Sequence, residues 1–425
     1  MIISQIFVQI KNRLEELWNY NIFRYTLLIH GLYFILSLLL TLFFFRNQND
    51  FLVYYEVGEV VLTDINKLYT TTYNWPFRYL PLTSLYFVPF YLMGFSLGFI
   101  MFNLINLVVN VFICIFLYKI IMVVRKEDHE KNDKRVILYI CLYLMSLPQI
   151  FNYILGQISL YITLLILISL FIFIKREGFK WNLIGSFILG ISINLKPITL
   201  LLIPFILIVG FDYQRNKLKV ELRTSIVRII GVIIPVSFNL ILFLIYPDLF
   251  TGFISRNFTG ADTVILNHSF SITKLISNLL LYMGVSPVEL PLLPIFFSVL
   301  LMVGILGFLI YVFRRLFQFP IVYGYSYGLL IMLLTYFDSW NHHLLNFIPL
   351  LIIILFGLSR NSEITRKFIK PSLFFLNFFD LAFMGIWFLI QDWFPFNFES
   401  TIFLLATFYG ISKYCLKGDL INQKS

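Results

Sequence analysis

Asp50 stands first among the residues of this sequence whose type and placement could carry chemistry. It stands in Asn49-Asp50-Phe51-Leu52-Val53-Tyr54-Tyr55, directly after a long apolar stretch and at the head of an expected helix running to about Leu62. Two compatible readings share the position. Asp is a good helix N-cap, and a capping position also holds a carboxylate fixed in space. Ionisable groups at the edge of a bilayer are costly, so they mark functional candidates by default.

The cations that could meet an anion are scattered along the chain. Arg78, in Trp75-Pro76-Phe77-Arg78-Tyr79-Leu80-Pro81-Leu82, could hold a phosphate bidentately or snorkel to a lipid headgroup. Lys196-Pro197 interrupts an apolar stretch from 182 to 211. Pro197 breaks the helix there, so Lys196 can face a cavity, with either a ligand or a structural carboxylate as its anionic partner. Arg256 and the Asn267-His268-Ser269 group are polar points in a later mixed segment. Asn257-Phe258-Thr259 and Asn267-His268-Ser269 also fit the glycosylation acceptor pattern, which is common by chance.

Gln157, in the turn Gly156-Gln157, could bind a polar ligand or simply close a turn between two spans. The densest polar cluster is Asp338-Ser339-Trp340-Asn341-His342-His343. His342 and His343 could contact a phosphate or shuttle a proton, or the loop could be interfacial, anchored by Trp340. One histidine pair without further nearby ligands does not make a metal site. Cys114, Cys141 and Cys415 sit in apolar runs with no metal-type or disulfide spacing. No cofactor is expected and no metal site is assigned, a divalent metal being the alternative left open.

The elements that must position these residues are membrane helices. Sixty per cent of the 425 residues are hydrophobic, 19% are aromatic and 13% charged, with a mean hydropathy of +0.87. A soluble chain of this length needs a more polar surface. Apolar stretches fall at about 25–45, 96–118, 136–154, 158–174, 182–195, 197–211, 226–247, 293–313, 319–337, 344–358, 371–390 and 400–416. Most can cross about 30 Å of hydrocarbon. The run at 79–93 is short, carries Pro81 and Pro89, and reads as a juxtamembrane or re-entrant segment. Residues 2–18 read as a surface amphipathic helix with Ile3, Phe7, Ile10, Leu14 and Leu17 along one stripe, not as a cleaved signal peptide.

Charge placement orients the chain. With the N-terminus inside and 79–93 not spanning, 26 of the 32 Lys and Arg fall on the cytoplasmic side. The opposite side holds Arg46, Lys67, Arg78, Arg256 and Lys274, and Lys196 lies at a helix break. Making 79–93 a full span would split the basic clusters between the two faces. The positive-inside rule therefore supports twelve spans with both termini cytoplasmic. The net charge of +10 is topological, and no nucleic-acid partner is implied. Two long non-cytoplasmic segments result, the first at 46–95 and the fourth at 248–292. The expected fold is a single all-α polytopic unit over residues 1–425, a bundle of about twelve transmembrane helices with juxtamembrane helices in those two segments.

In this order the motifs resemble the GT-C-type membrane glycosyltransferases, specifically glycosyltransferase family 87. The chain is similar to polyprenol-phosphate-mannose-dependent phosphatidylinositol-mannoside mannosyltransferases. The resemblance covers most of residues 45–350 through Asp50-Phe51 with Tyr54-Tyr55, Leu68-Tyr69, Phe77-Arg78-Tyr79-Leu80-Pro81, Gly156-Gln157, Leu195-Lys196-Pro197, Asn267-His268-Ser269 and Ser339-Trp340-Asn341-His342-His343. It implies an enzyme of the cell membrane that takes a hexose, mannose by extrapolation, from a polyprenyl-phosphate donor on the outer face. The acceptor would be a hydroxyl of a lipid or glycan. Asp50 matches the presumed base, and transfer would invert the anomeric centre. Lys196, His342, His343, Arg78 and Arg256 are the candidates for the donor phosphate, the first three ranked highest. Tyr54, Tyr55, Gln157, Asn267 and Trp340 are candidate substrate contacts. Asn341 precedes the histidines where the family often has an acidic residue, which argues further against a metal in this loop.

Two other classes remain to be weighed. A transporter or flippase of lipid-linked sugars would show internal repeats and ionisable residues deep in several spans. The sequence shows neither, apart from Lys196. A catalytically dead scaffold that presents lipid-linked sugars to a partner would show no turnover.

Overall fold

A computed structural model of the chain describes residues 17–127, 129, 133–258, 269–286, 289–315, 318–390, 393 and 399–417. The expected surface helix at 2–18 lies almost wholly outside them, as do Asn267, His268 and most of the connection at 391–399. The main helices are α1 (Asn21–Phe43), α2 (Asp50–Thr63), α3 (Phe95–Val124), α4 (Lys134–Leu144), α5 (Leu147–Leu155), α6 (Ser159–Lys175), α7 (Phe179–Leu195) and α8 (Leu222–Ile245). They continue with α9 (Pro247–Phe258), α10 (Ile272–Tyr282), α11 (Leu292–Val312), α12 (Pro320–Thr335), α13 (Leu344–Gly357), α14 (Lys370–Phe378), α15 (Asp380–Ile390) and α16 (Glu399–Lys417).

Each expected apolar stretch meets a helix or helix pair, but length separates them. Among the described residues five helices are long and apolar enough to cross a membrane, or six when the bent pair Thr365–Phe378 and Asp380–Ile390 counts as one. Twelve crossings are not reached by that measure. The stretch expected at 197–211 shows why. It folds as a 3-10 turn, Pro197–Leu202, and a short α turn, Ile203–Ile206, and then enters a β-hairpin. Its strands β1 (Val209–Asp212) and β2 (Lys217–Val220) pair antiparallel. Ten helical residues span only about 15–20 Å. The run at 79–93 is broken into Pro81–Ser84, Leu85–Phe87 and Val88–Leu92, as its prolines require.

Burial inverts the rule of soluble proteins. Every residue of α13 is buried and α12 is buried from Ile321 onward, so these two helices form the centre. The flanking helices expose apolar side chains, among them Leu28, Leu244 and Met302. On α1 the buried positions are Thr26, His30, Ser37 and Thr41. Polar groups inside such a bundle must find one another. His30 meets the Tyr153 hydroxyl at 2.9 Å, and Asn110 donates to Tyr153 and Gln149 at 2.9 and 3.0 Å.

The bundle has two chemically different ends. At one, the basic connections are tied together. The Lys126 N–H donates to Phe356 O at 3.0 Å, His129 bonds Leu358 O at 2.8 Å, and Lys413 pairs with Glu363 at 3.2 Å. Arg315 N–H donates to Cys415 O at 2.8 Å, and Arg314 reaches Val209 O at 2.9 Å. The start of α3, whose Phe95 packs on Phe51, lies at the other end of that helix. So does the start of α13, directly after His343. That end carries Asp50 and the polar loops.

Candidate active site

Asn49, and not Asp50, caps α2. Asn49 is extended and accepts from the Leu52 N–H at 2.8 Å. The capping reading of Asp50 is therefore corrected by one residue, because the neighbour's amide oxygen already satisfies the orphan donor. Asp50 becomes the first helical residue, with its carboxylate released to other partners. Gln157 Nε2 donates to Asp50 Oδ2.

Gly156 makes that contact reachable. It ends α5 in the left-handed region, at φ +66°, and a Cβ there would stand 2.6 Å from Phe51 Cβ. Only glycine allows both the turn and the close approach. The other side of Gln157 is held by Tyr54, whose hydroxyl donates to Oε1 at 3.3 Å and lies 2.8 Å from the Tyr79 hydroxyl. Tyr54 stacks on Phe87 at 4.3 Å. Asp50 is half-buried. Burial raises its carboxyl to about 6, against the Gln157 hydrogen bond and the Lys196 charge, while Asp338 pushes it further up.

Lys196 is buried at the break between α7 and Pro197. Asn194 fixes that break, donating to Pro235 O at 2.9 Å and accepting from Asn239 at 2.8 Å. The Lys196 amine lies against His343 Nε2. Burial lowers it to about 7, opposed by the Asp50 and Asp338 carboxylates. His343 is oriented by its own turn. Its Nδ1 accepts the Trp340 N–H at 3.0 Å, so the proton of the neutral ring sits on Nε2. His342 Nε2 is 3.1 Å from His343 Nε2. The Nδ1 of His342 and the Oδ1 of Asn341 are buried without a hydrogen-bond partner.

Arg78 donates to Asp338 and lies over Phe337 at 5.4 Å. Electrostatics link the groups, since Asp50 feels both Lys196 and Asp338. Asp50, Gln157, Tyr54, Lys196, His342, His343, Arg78 and the Trp340 backbone thus gather at one end of the bundle. Two expected residues do not join. Arg256 donates to Thr71 O at 3.2 Å, tying α9 to the first long segment. Tyr55 packs on Tyr91 and Phe95 at 5.1 and 5.8 Å.

Sequence reasoning did not assign roles to Tyr79 or Asp338, although both stand inside motifs it singled out. Asp380 had no signal at all. It is buried at the bend before α15 and accepts from Asn341 Nδ2 and Ser400 Oγ. An apolar cavity of about 270 Å³ adjoins the Lys196 break, lined by Thr83, Tyr86, Asn194, Leu195, Pro235 and Phe238 among others.

A family model described as Glycosyltransferase family 87 matches residues 77–336, more than half of the chain. No curated protein and no solved structure matches it.

Proposed function

The chain belongs to glycosyltransferase family 87, and on that premise we propose that it is an inverting hexosyltransferase using a polyprenyl-phosphate sugar. In this reading it moves mannose to a hydroxyl of a lipid or glycan acceptor, at the extracytoplasmic face of the cell membrane. The observation that carries the proposal is that a carboxylate released from capping, Asp50, held by Gln157, lies within electrostatic reach of a buried amine, Lys196, held against His343.

Asp50 takes the proton of the acceptor hydroxyl. The acceptor oxygen attacks the anomeric carbon, and the bond from that carbon to the phosphate oxygen breaks. The leaving polyprenyl phosphate gains one negative charge. It is a weak base and needs no general acid, only cationic or hydrogen-bonding stabilisation of the developing charge. Lys196, in its protonated form, with His343 and His342 supplies it. The carboxylate is used as in inverting glycosidases, where the base works across the sugar from the leaving group. Gln157 and Tyr54 hold Asp50 and face the sugar. The apolar cavity beside Lys196 supports a lipid carrier, because a chain lying there keeps its phosphate at the break. Twelve crossings with both termini cytoplasmic supply the sidedness, as the basic connections gather at the end away from Asp50. The family match gives no support to a transporter without chemistry.

The test is incubation of purified protein with radiolabelled polyprenyl-phosphate mannose and membrane lipid extract. The expected product is a mannosylated lipid or glycan whose anomeric configuration is opposite to the donor's. Transport of the donor across sealed liposomes without any covalent product would overturn the proposal.

A further inference from the structure

α15 and α16 lie beyond residues 45–350, where the motifs fall, yet they hold the loop that ends in His342 and His343. Asp380 is the first residue of α15, at a 61° bend from the preceding helix, and is 2% exposed. A carboxylate is costly inside a membrane protein and is kept where its hydrogen bonds serve something. Its Oδ2 accepts from Asn341 Nδ2, and its Oδ1 from Ser400 Oγ at the start of α16. The bond to Asp380 is the only hydrogen bond of the Asn341 side chain among the described residues, because Asn341 Oδ1 is buried without a partner.

A second tether reaches the same loop from the next residue of α16. Thr401 Oγ1 donates to Phe270 O at 2.7 Å, and Phe270 N–H donates to Ser339 O at 3.0 Å. Ser339 and Asn341 flank Trp340, whose N–H donates to His343 Nδ1 at 3.0 Å and whose carbonyl accepts the His343 N–H at 2.8 Å. The turn that fixes the His343 tautomer is thus pinned on both sides, by Asp380 and by the first turn of α16. An ionised carboxylate only accepts, so it also dictates which edge of the Asn341 amide faces it.

We propose that Asp380 is a positioning residue, which through Asn341 holds the 341–343 turn so that His343 and His342 stand beside Lys196 and meet the leaving phosphate. It acts through Asn341 and not on the substrate. The inference rests on the reading of Lys196 and the histidine pair as the donor-phosphate contact. The charge of Asp380 and its hydrogen bond would act in opposite directions on a bound anion, which makes the two separable. By Coulomb's law alone, removing a negative charge near the site should tighten a phosphate. Losing the tether should weaken it.

The test uses the full chain in detergent with citronellyl phosphate as the donor-phosphate probe. Its Kd should rise about tenfold in Asp380→Leu and in Asn341→Asp, the worth of one hydrogen bond to a charged group. The exchange Asn341→Asp/Asp380→Asn restores one amide facing one carboxylate, and the Ser400 hydroxyl can donate or accept. That double variant should return the Kd to within about twofold of wild type, a coupling that two independent losses would not produce. Tighter or unchanged binding in Asp380→Leu would overturn the inference, and so would an exchange variant that binds no better than Asn341→Asp. Solid-state NMR of protein with isotope-labelled histidine reads the turn without any ligand. His343 should carry its proton on Nε2 in wild type and in the exchange variant, and should show mixed tautomers in Asn341→Asp. One tautomer in all three would overturn the tether. A wild-type Kd in Lys196→Met would instead contradict the donor-site reading, with the NMR result still deciding the role of Asp380.

Discussion

Proton balance around Asp50 and Lys196 ties turnover to pH. Asp50 works as a base only when ionised, so activity should rise with pH through about 6. Lys196 stabilises the leaving phosphate only when charged, so activity should fall as pH rises through about 7. The expected kcat/KM profile is therefore a narrow bell between those limbs. The Gln157 hydrogen bond pulls the Asp50 carboxyl down. In Gln157→Leu the acidic limb should move to higher pH and the bell should narrow, which a pH–rate series would read directly. An unmoved limb would mean that another group titrates there. Lys196 has a second consequence. With the His343 proton on Nε2, the amine facing it is the neutral form. A phosphate arriving at Lys196 favours the charged form. Calorimetry of polyprenyl phosphate binding above pH 7 in buffers of different ionisation enthalpy should show net proton uptake, absent in Lys196→Met.

At the scale of elements, the position of Asp50 depends on how two helix ends meet. α2 begins one residue earlier than a capping Asp50 would require, because Asn49 supplies the cap. Asn49→Ala should destabilise that end by about 1 kcal/mol. α5 ends at Gly156, where a side chain is strained by the positive φ and collides with Phe51. Gly156→Val should lower the thermal midpoint and reduce turnover more than Asn49→Ala does, since it also displaces Gln157 from Asp50. Equal turnover in the two variants would contradict this coupling. The motifs Gly156-Gln157 and Lys196-Pro197 were legible because glycine and proline announce a turn and a break in sequence. The cap was misread by one residue because Asn and Asp are near-equal caps and stand side by side. Asp380 was illegible for another reason. Its partner Asn341 is 39 residues away, and nothing local marks a carboxylate that serves a distant loop.

For the whole molecule, hydropathy located the apolar stretches, while their depth as crossings depends on packing that hydropathy does not record. The 197–211 stretch is apolar throughout yet folds as two short turns and the first strand of a hairpin. The polar interior of α1 was hidden because His30 finds Tyr153 across 123 residues. The basic connections share one end of the bundle and the candidate site the other, and labelling decides which end faces the cytoplasm. In sealed right-side-out vesicles an impermeant thiol reagent should label Thr72→Cys and spare Leu218→Cys, with the native cysteines removed. The reverse pattern would invert the topology.

The central claim is that Asp50 removes the acceptor proton. Its most direct test is Asp50→Asn, which keeps the shape of the site and removes the base. Single-turnover transfer from labelled polyprenyl-phosphate mannose should fall by roughly 10²–10⁴-fold, with donor binding and the thermal midpoint close to wild type. Transfer at the wild-type rate by this folded variant would contradict the account.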